Sequence, residues 1–223
     1  MVHHRIARNT PAARGFTLAE IVVVIAIMTI LVTLTASSMN GLMGSLHMKE
    51  GVTNARHMME QARQEATTMN RDVVVRFYRV PDDMGVLAWR ACAYGTEKLT
   101  TDPDKPQYHD PTVPGYRPPF VASSPMERLP GDLVFHPAAA YSLLLDATQS
   151  ALQCGEELAP DGEIRQFTSF RFTPDGRCTL PAAQSWTITL VSERDLAKSP
   201  GLPPGYATLQ LDPSTARVRV YRR

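Results

Sequence analysis

From Phe16 to Ala36 the sequence FTLAEIVVVIAIMTILVTLTA is apolar apart from threonine hydroxyls and one charge, Glu20. Wound as a helix, it spans roughly 31 Å, the thickness of a bilayer core. The fifteen residues before it contain Arg5, Arg8 and Arg14, with His3 and His4 and no acid. Such a segment stays in the cytoplasm while the bulk of the chain crosses. The pattern therefore predicts a short basic leader at 1–15, a transmembrane helix over 16–39, and everything after it on the outer side of the membrane.

Helical periodicity continues beyond the apolar run. Met48, Val52, Ala55, Met59, Ala62, Ala66 and Met69 recur at alternating steps of four and three, which makes one stripe. Lys49, Glu50, Arg56, Glu60, Arg63 and Glu65 lie off that stripe. An amphipathic continuation over 40–70 follows, with a bend or melted turn expected at Gly41 and Gly44, each costing about 1 kcal/mol relative to alanine. The small alanines between methionines suit packing against a sheet.

After Asn70 the period changes to that of strands. VVVRFYRV (73–80) and VLAWRACAY (86–94) flank the turn sequence Pro81-Asp82-Asp83-Met84-Gly85. Further strands are expected near 132–136, 164–172, 185–191, 206–211 and 217–221, with the 140s ambiguous between states. In the last strand Val218 and Val220 alternate with Arg217 and Arg219. Between them, residues 95–132 hold eight prolines and are expected to form a surface insertion without regular elements. The expected fold class is α+β: a long N-terminal helix packed on an antiparallel β-sheet head that occupies 71–223.

Composition narrows the function classes. At 223 residues the chain holds one soluble domain plus its N-terminal element, and a net charge of +1 gives no general attraction to nucleic acid or anionic lipid. Cys92, Cys154 and Cys178 include no C-x-x-C pair, so no zinc ribbon or redox motif is indicated. Two readings stay open for them: one disulfide with one thiol left over, or three separate thiols. No zinc-protease, nucleophile-elbow, phosphate-loop or dinucleotide motif occurs. His109-Asp110 and Glu156-Glu157 could be imagined as metal ligands or an acid–base pair, but two ligands do not define a site. No catalytic residue, metal or cofactor is expected.

Glu20 is the residue that most needs a reason. An acid near mid-membrane costs about 2.5–3.5 kcal/mol, and such residues are functional by default. A conventional secretory signal, with Ala36-Ser37-Ser38 as its small-residue cleavage site, leaves Glu20 unexplained, as does a plain signal-anchor.

RGFTLAEIVVVIAIMTILVTL resembles the class III signal of type IV pilins and type II secretion pseudopilins. The likeness covers the basic leader, Gly15, aromatic Phe16, Glu20 at mature position five, and the apolar helix. It implies that a prepilin peptidase and methyltransferase cuts between Gly15 and Phe16 and methylates Phe16. It further implies that Glu20 guides docking of the subunit against a neighbour's N-terminus. The cut creates a positive amino group on Phe16 one helical turn from Glu20, within pairing distance. The stretch SFRFTPDGRCTL (169–180), with WTITL and YATLQLDPSTARVRVYRR after it, is similar to the C-terminal half of the H-type minor pseudopilins and the fimbrial T-type minor pilins. Their terminal glycine-arginine is Ala216-Arg217 here. Pseudopilin-like cassette proteins of the Verrucomicrobia type, which join the same signal to a longer head, are also similar. The implied role is a structural subunit of an envelope filament, with other pilins, an inner-membrane assembly platform and membrane lipid as partners. The implied location is the bacterial inner membrane, with the N-terminus cytoplasmic and the head outside. An alternative is DNA binding for uptake, through Arg217, Arg219, Arg222 and Arg223. The competing reading makes those arginines the charged face of an edge strand, which the near-neutral net charge favours.

Overall fold

No proline interrupts the chain between Leu18 and Met69, and the helix α1 (Leu18–Met69) runs through Gly41 and Gly44, so the expected melted turn does not form. The computed structural model describes residues 16–97, 120–159, 162–198 and 201–222, without the side chains of 34–42. The chain divides into two compact units, Met1–Met43 and Gly44–Arg223.

Within the second unit, α1 stops at a left-handed residue. Asn70 has φ 48°, and the Arg71 amide turns back to the Ala66 carbonyl at 3.2 Å. This is a Schellman closure with asparagine in the place glycine usually holds. The stripe read from the sequence is the buried face: Val52, Ala55, Met59, Ala62 and Ala66 are in the core, Met48 is half-buried, and Met69 is exposed.

Among the described residues, ten antiparallel strands follow. They are β1 (Val73–Pro81), β2 (Leu87–Glu97), β3 (Phe120–Ala122), β4 (Glu127–Arg128), β5 (Leu133–Phe135), β6 (Gln153–Leu158), β7 (Ile164–Phe172), β8 (Trp186–Ser192), β9 (Ala207–Leu211) and β10 (Val218–Arg222). A four-residue helix, α2 (Glu193–Leu196), follows β8. Instead of the single sheet expected, there are two. The first has the order β3-β2-β1-β7-β6, with β4 also on β2; the second has the order β10-β9-β8-β5. The division arises because β5 leaves the proline-rich stretch to pair with β8, not with β2.

The stretch 95–132 also departs from expectation. β2 extends to Glu97, and β3 and β4 fall inside it; each is two or three residues long and sits between prolines. Residues 98–119 lie outside the described residues. The 140s form a single 3₁₀ turn (Leu143–Leu145), which buries Leu144 and Leu145.

One core joins the helix stripe to both sheets, through Val75, Phe77, Phe170 and Phe172 of the first and Trp186, Ile188, Leu190 and Leu209 of the second. The helix lies close to β5: a Cβ added to Gly51 would stand 2.8 Å from Leu133 Cδ1. The opposite face of the first sheet carries a smaller cluster of Tyr78, Val80, Ala91, Ala93 and Phe167. This explains why β1 is buried at every position from Val73 to Tyr78, since a strand covered on both faces does not alternate.

Arg76 is the charged residue in that run. It is 3% exposed, its guanidinium sits 4.2 Å from the Phe120 ring centroid and 4.1 Å from that of Phe167, and it bonds Glu157 and, at 3.4 Å, Glu97. Arg171 closes the far side of Glu97. The cluster ties β1, β2, β6 and β7 together across one face of the sheet.

Among the three cysteines none is bonded: Cys92 is buried, Cys178 half-buried and Cys154 exposed. Register explains the separation of two of them. Cys92 pairs with Phe77, Phe77 with Thr168, and Thr168 with Cys154. Three strand spacings put their Cα atoms about 14 Å apart, twice the reach of a disulfide. Burial first, and the nearby Glu127 charge second, push the Cys92 thiol up to about 12.

Candidate functional site

The motif residues Phe16 to Thr33 belong to the first unit, and all of their side chains are exposed. Thr17 stands just before the first helical residue and Glu20 three residues on. The Thr17 hydroxyl accepts the Glu20 amide at 3.2 Å, and the Glu20 carboxylate accepts the Thr17 amide at 3.4 Å. This reciprocal arrangement is a capping box, which satisfies helix donors that have no partner within the helix. The acid at the helix N-terminus also faces the positive end of the helix dipole. Sequence reasoning missed this role although its signal, Thr-x-x-Glu, was legible in TLAE.

Further along, the Thr29 hydroxyl donates to the Ile25 carbonyl and that of Thr33 to the Ile30 carbonyl, each at 2.8 Å. Both polar groups are thereby folded onto the helix backbone. Glu20 remains the one charge on a surface of exposed Ile, Val, Leu and Met. Among the described residues, no helix is long and apolar enough to cross a membrane; the described side chains of the apolar run stop at Thr33. Gly15 lies outside the described residues, so the geometry begins at Phe16.

Residues 11–36 match the prokaryotic N-terminal methylation motif. The match contains Gly15, Phe16 and Glu20 together with the apolar run to Ala36. The methylation motif indicates a type IV pilin-like chain that a prepilin peptidase processes, and it implies a membrane-anchored helix. No curated protein and no solved structure matches the chain. The fold of the second unit therefore stands on its own geometry.

The described C-terminal arginines divide between two faces: Arg217 and Arg219 are exposed on either side of buried Val218, and Arg222 lies on the opposite face of the strand. Arg217 precedes β10, exposed, and its carbonyl accepts the Asp212 amide at 3.0 Å. Arg219 lines a depression with Asp212, Ser185 and Gln210. Thr215, then Ser214 and other backbone and charge contacts that include Arg219, hold the Asp212 carboxyl below its usual range. Arg222 lines a different groove, with Val52, Arg56, His57 and Glu60 of α1. Strand alternation accounts for the split between 219 and 222. Arg223 lies outside the described residues.

The two pairs considered for chemistry fare as follows. Glu156 and Glu157 point to opposite sides of β6, one taking a bond from Gln166 and the other from Arg76. His109-Asp110 lies outside the described residues. Among the described residues, no group of three His, Cys, Asp or Glu side chains is placed to hold a metal ion.

Proposed function

We propose that this chain is a minor pseudopilin or pilin: a structural subunit of a type II secretion or type IV pilus-like envelope filament, with no catalytic activity of its own. The observation that carries the reading is the placement of Glu20. It is the single acid on an apolar helix surface, held at the first turn by Thr17, inside a methylation motif.

Processing at Gly15 and Phe16 belongs to the same reading. Prepilin peptidase cuts between Gly15 and Phe16, the basic leader departs, and Phe16 becomes a methylated, positively charged terminus. Its amine adjoins Thr17, whose amide the Glu20 carboxylate already accepts. The carboxylate has further lone pairs, so Glu20 can hold the cap and receive an amine, its own or that of the subunit already in place. A charge pair at that depth offsets a desolvation that a lone glutamate would bear in full. The helix inserts into the filament core, and the two-sheet head contacts other subunits or cargo.

The nucleic-acid alternative has weaker support, because a phosphate track needs several cations on one face, whereas Arg217 and Arg219 share a face on which Arg219 has Asp212 beside it, and Arg222 lines a separate groove with Glu60. The test of the main reading is a Gly15→Leu variant expressed with a prepilin peptidase. It should remain uncut and absent from filaments; a processed product from that variant would sink the assignment of the cleavage site.

A further inference from the structure

The two ends of the globular unit differ in chemistry, and the helix fixes which end is which. At Tyr94 on β2, the Tyr94 carbonyl accepts the Ser123 amide, and the Ser123 hydroxyl donates to Glu65 of α1 at 2.8 Å. Four residues back along β2, the Arg90 carbonyl accepts the Leu129 amide. The chain after Leu129 lies against the start of the helix in this unit: Leu133 and Pro130 crowd Gly51, and Gly131 crowds His47. Moving along β2 from Tyr94 through Arg90 to Leu87 is therefore moving from the C-terminal part of α1 towards Gly44, where the N-terminal segment joins.

Beyond Leu87 is the β1–β2 hairpin tip, with Met84 91% exposed and Val86 and Leu87 about half exposed. The β6–β7 hairpin ends beside it, because Arg79 of β1 pairs with Gln166 of β7. Its terminal pair, Leu158 and Ile164, is 73% and 67% exposed. Five aliphatic side chains thus project from one end of the first sheet. The nearby acid Asp82 is turned inward, its carboxylate taking the amides of Met84 at 2.9 Å and Val86 at 2.7 Å. Asp83 is exposed beside it and Glu163 is exposed beside Ile164, while Arg79 supplies a cation at the same end. Among the described residues, the other end of the sheet carries more charge: Arg71 and Asp72 follow the helix, and Asp175 and Arg177 form the turn after β7.

We propose that the end of the globular unit nearest Gly44 rests on the phospholipid bilayer that holds the N-terminal segment, with Met84, Val86, Leu87, Leu158 and Ile164 seated in its headgroup interface. The proposal rests on the membrane-anchored reading given above. Chain continuity selects the occupant, since the apolar run of the methylation motif joins the unit at this end. Aliphatic tips with charged residues of both signs beside them suit the interfacial layer, where apolar atoms gain burial and charges keep water. The contact would hold the subunit on the membrane before extraction into a filament.

The test uses the full chain, one copy per phospholipid nanodisc, in a Cys154→Ser, Cys178→Ser background. Spin labels are attached singly at Ile25→Cys, Met84→Cys, Leu158→Cys or Asp175→Cys, and their collisions with oxygen and with an aqueous nickel chelate are compared. Labels at 25, 84 and 158 are expected to be several-fold more shielded from nickel than the label at 175. A shielded Ile25 site with Met84 and Leu158 as open as Asp175 overturns the surface contact and leaves the anchor standing. An open Ile25 site overturns the anchor and the contact together. Shielding of Met84 and Leu158 only when two copies share a disc assigns the tips to a neighbouring subunit and overturns lipid as the occupant.

Discussion

Thr17 and Glu20 exchange hydrogen bonds at the start of α1, hydroxyl to amide at 3.2 Å and amide to carboxylate at 3.4 Å. Glu20 therefore has two separable properties, a capping geometry and a charge. Glutamine serves the capping box as well as glutamate does. Glu20→Gln should keep the helix start and peptidase cleavage yet lose filament incorporation, as Glu20→Ala should too. Incorporation is read from the subunit's recovery in sheared filaments. Normal incorporation of the glutamine variant would assign the role of Glu20 to the cap alone.

Arg76 should be the most sensitive polar residue of the head. Its guanidinium is enclosed by Phe120 and Phe167 and is shared between Glu97 and Glu157. Removing one partner of a buried ion cluster leaves carboxylates without a counter-charge, at about 3–5 kcal/mol. Arg76→Ala should lower the urea midpoint of Trp186 fluorescence accordingly. Arg56→Ala, which breaks an exposed pair with Glu60, should cost under about 0.5 kcal/mol.

Ala216 occupies the left-handed region at φ 50° and is nearly fully buried. A left-handed L-residue costs roughly 1–2 kcal/mol, which glycine avoids. Ala216→Gly trades that relief against a buried methyl group, so stability should stay within about 1 kcal/mol of the parent. Ala216→Val adds a branched Cβ to the same strained backbone and should lose about 2 kcal/mol or more by denaturant titration.

His136 makes the head acid-sensitive. It is buried, and its Nδ1 accepts the Ala138 amide at 3.1 Å, which requires the neutral ring. Burial lowers its pKa below the ordinary 6.5, against an opposing backbone bond at Gly201. The unfolded chain therefore takes up a proton first as pH falls. Its contribution to stability is complete above pH 6.5 and is lost as the pH drops from there through the lower folded value. Unfolding free energy measured across that interval should decline in the parent and decline less in His136→Asn.

Much of the head was legible because its strands announce themselves. β7 and β8 alternate or run apolar between turn residues, and Gly176 at φ 78° closes the Pro174-Asp175-Gly176 turn as its sequence suggests. β6 was not legible: QCGEEL has no β-branched or aromatic residue, and its strand form depends on Arg76 holding Glu157 and on pairing with β7. The number of sheets was hidden for a similar reason, since β5 chooses β8 through tertiary contact and not through its own three residues. In the site, Glu20 stood out by its cost in an apolar run. Its bond to Thr17 is carried only by the Thr-x-x-Glu spacing, a weaker signal than a charge in an apolar run.

The most direct measurement is intact mass and N-terminal sequencing of the chain recovered from membranes that contain a prepilin peptidase. The account predicts a mature chain that begins at Phe16 and carries one methyl group on its terminal nitrogen. A chain beginning near Met39, or one still carrying Arg5, Arg8 and Arg14, would contradict it.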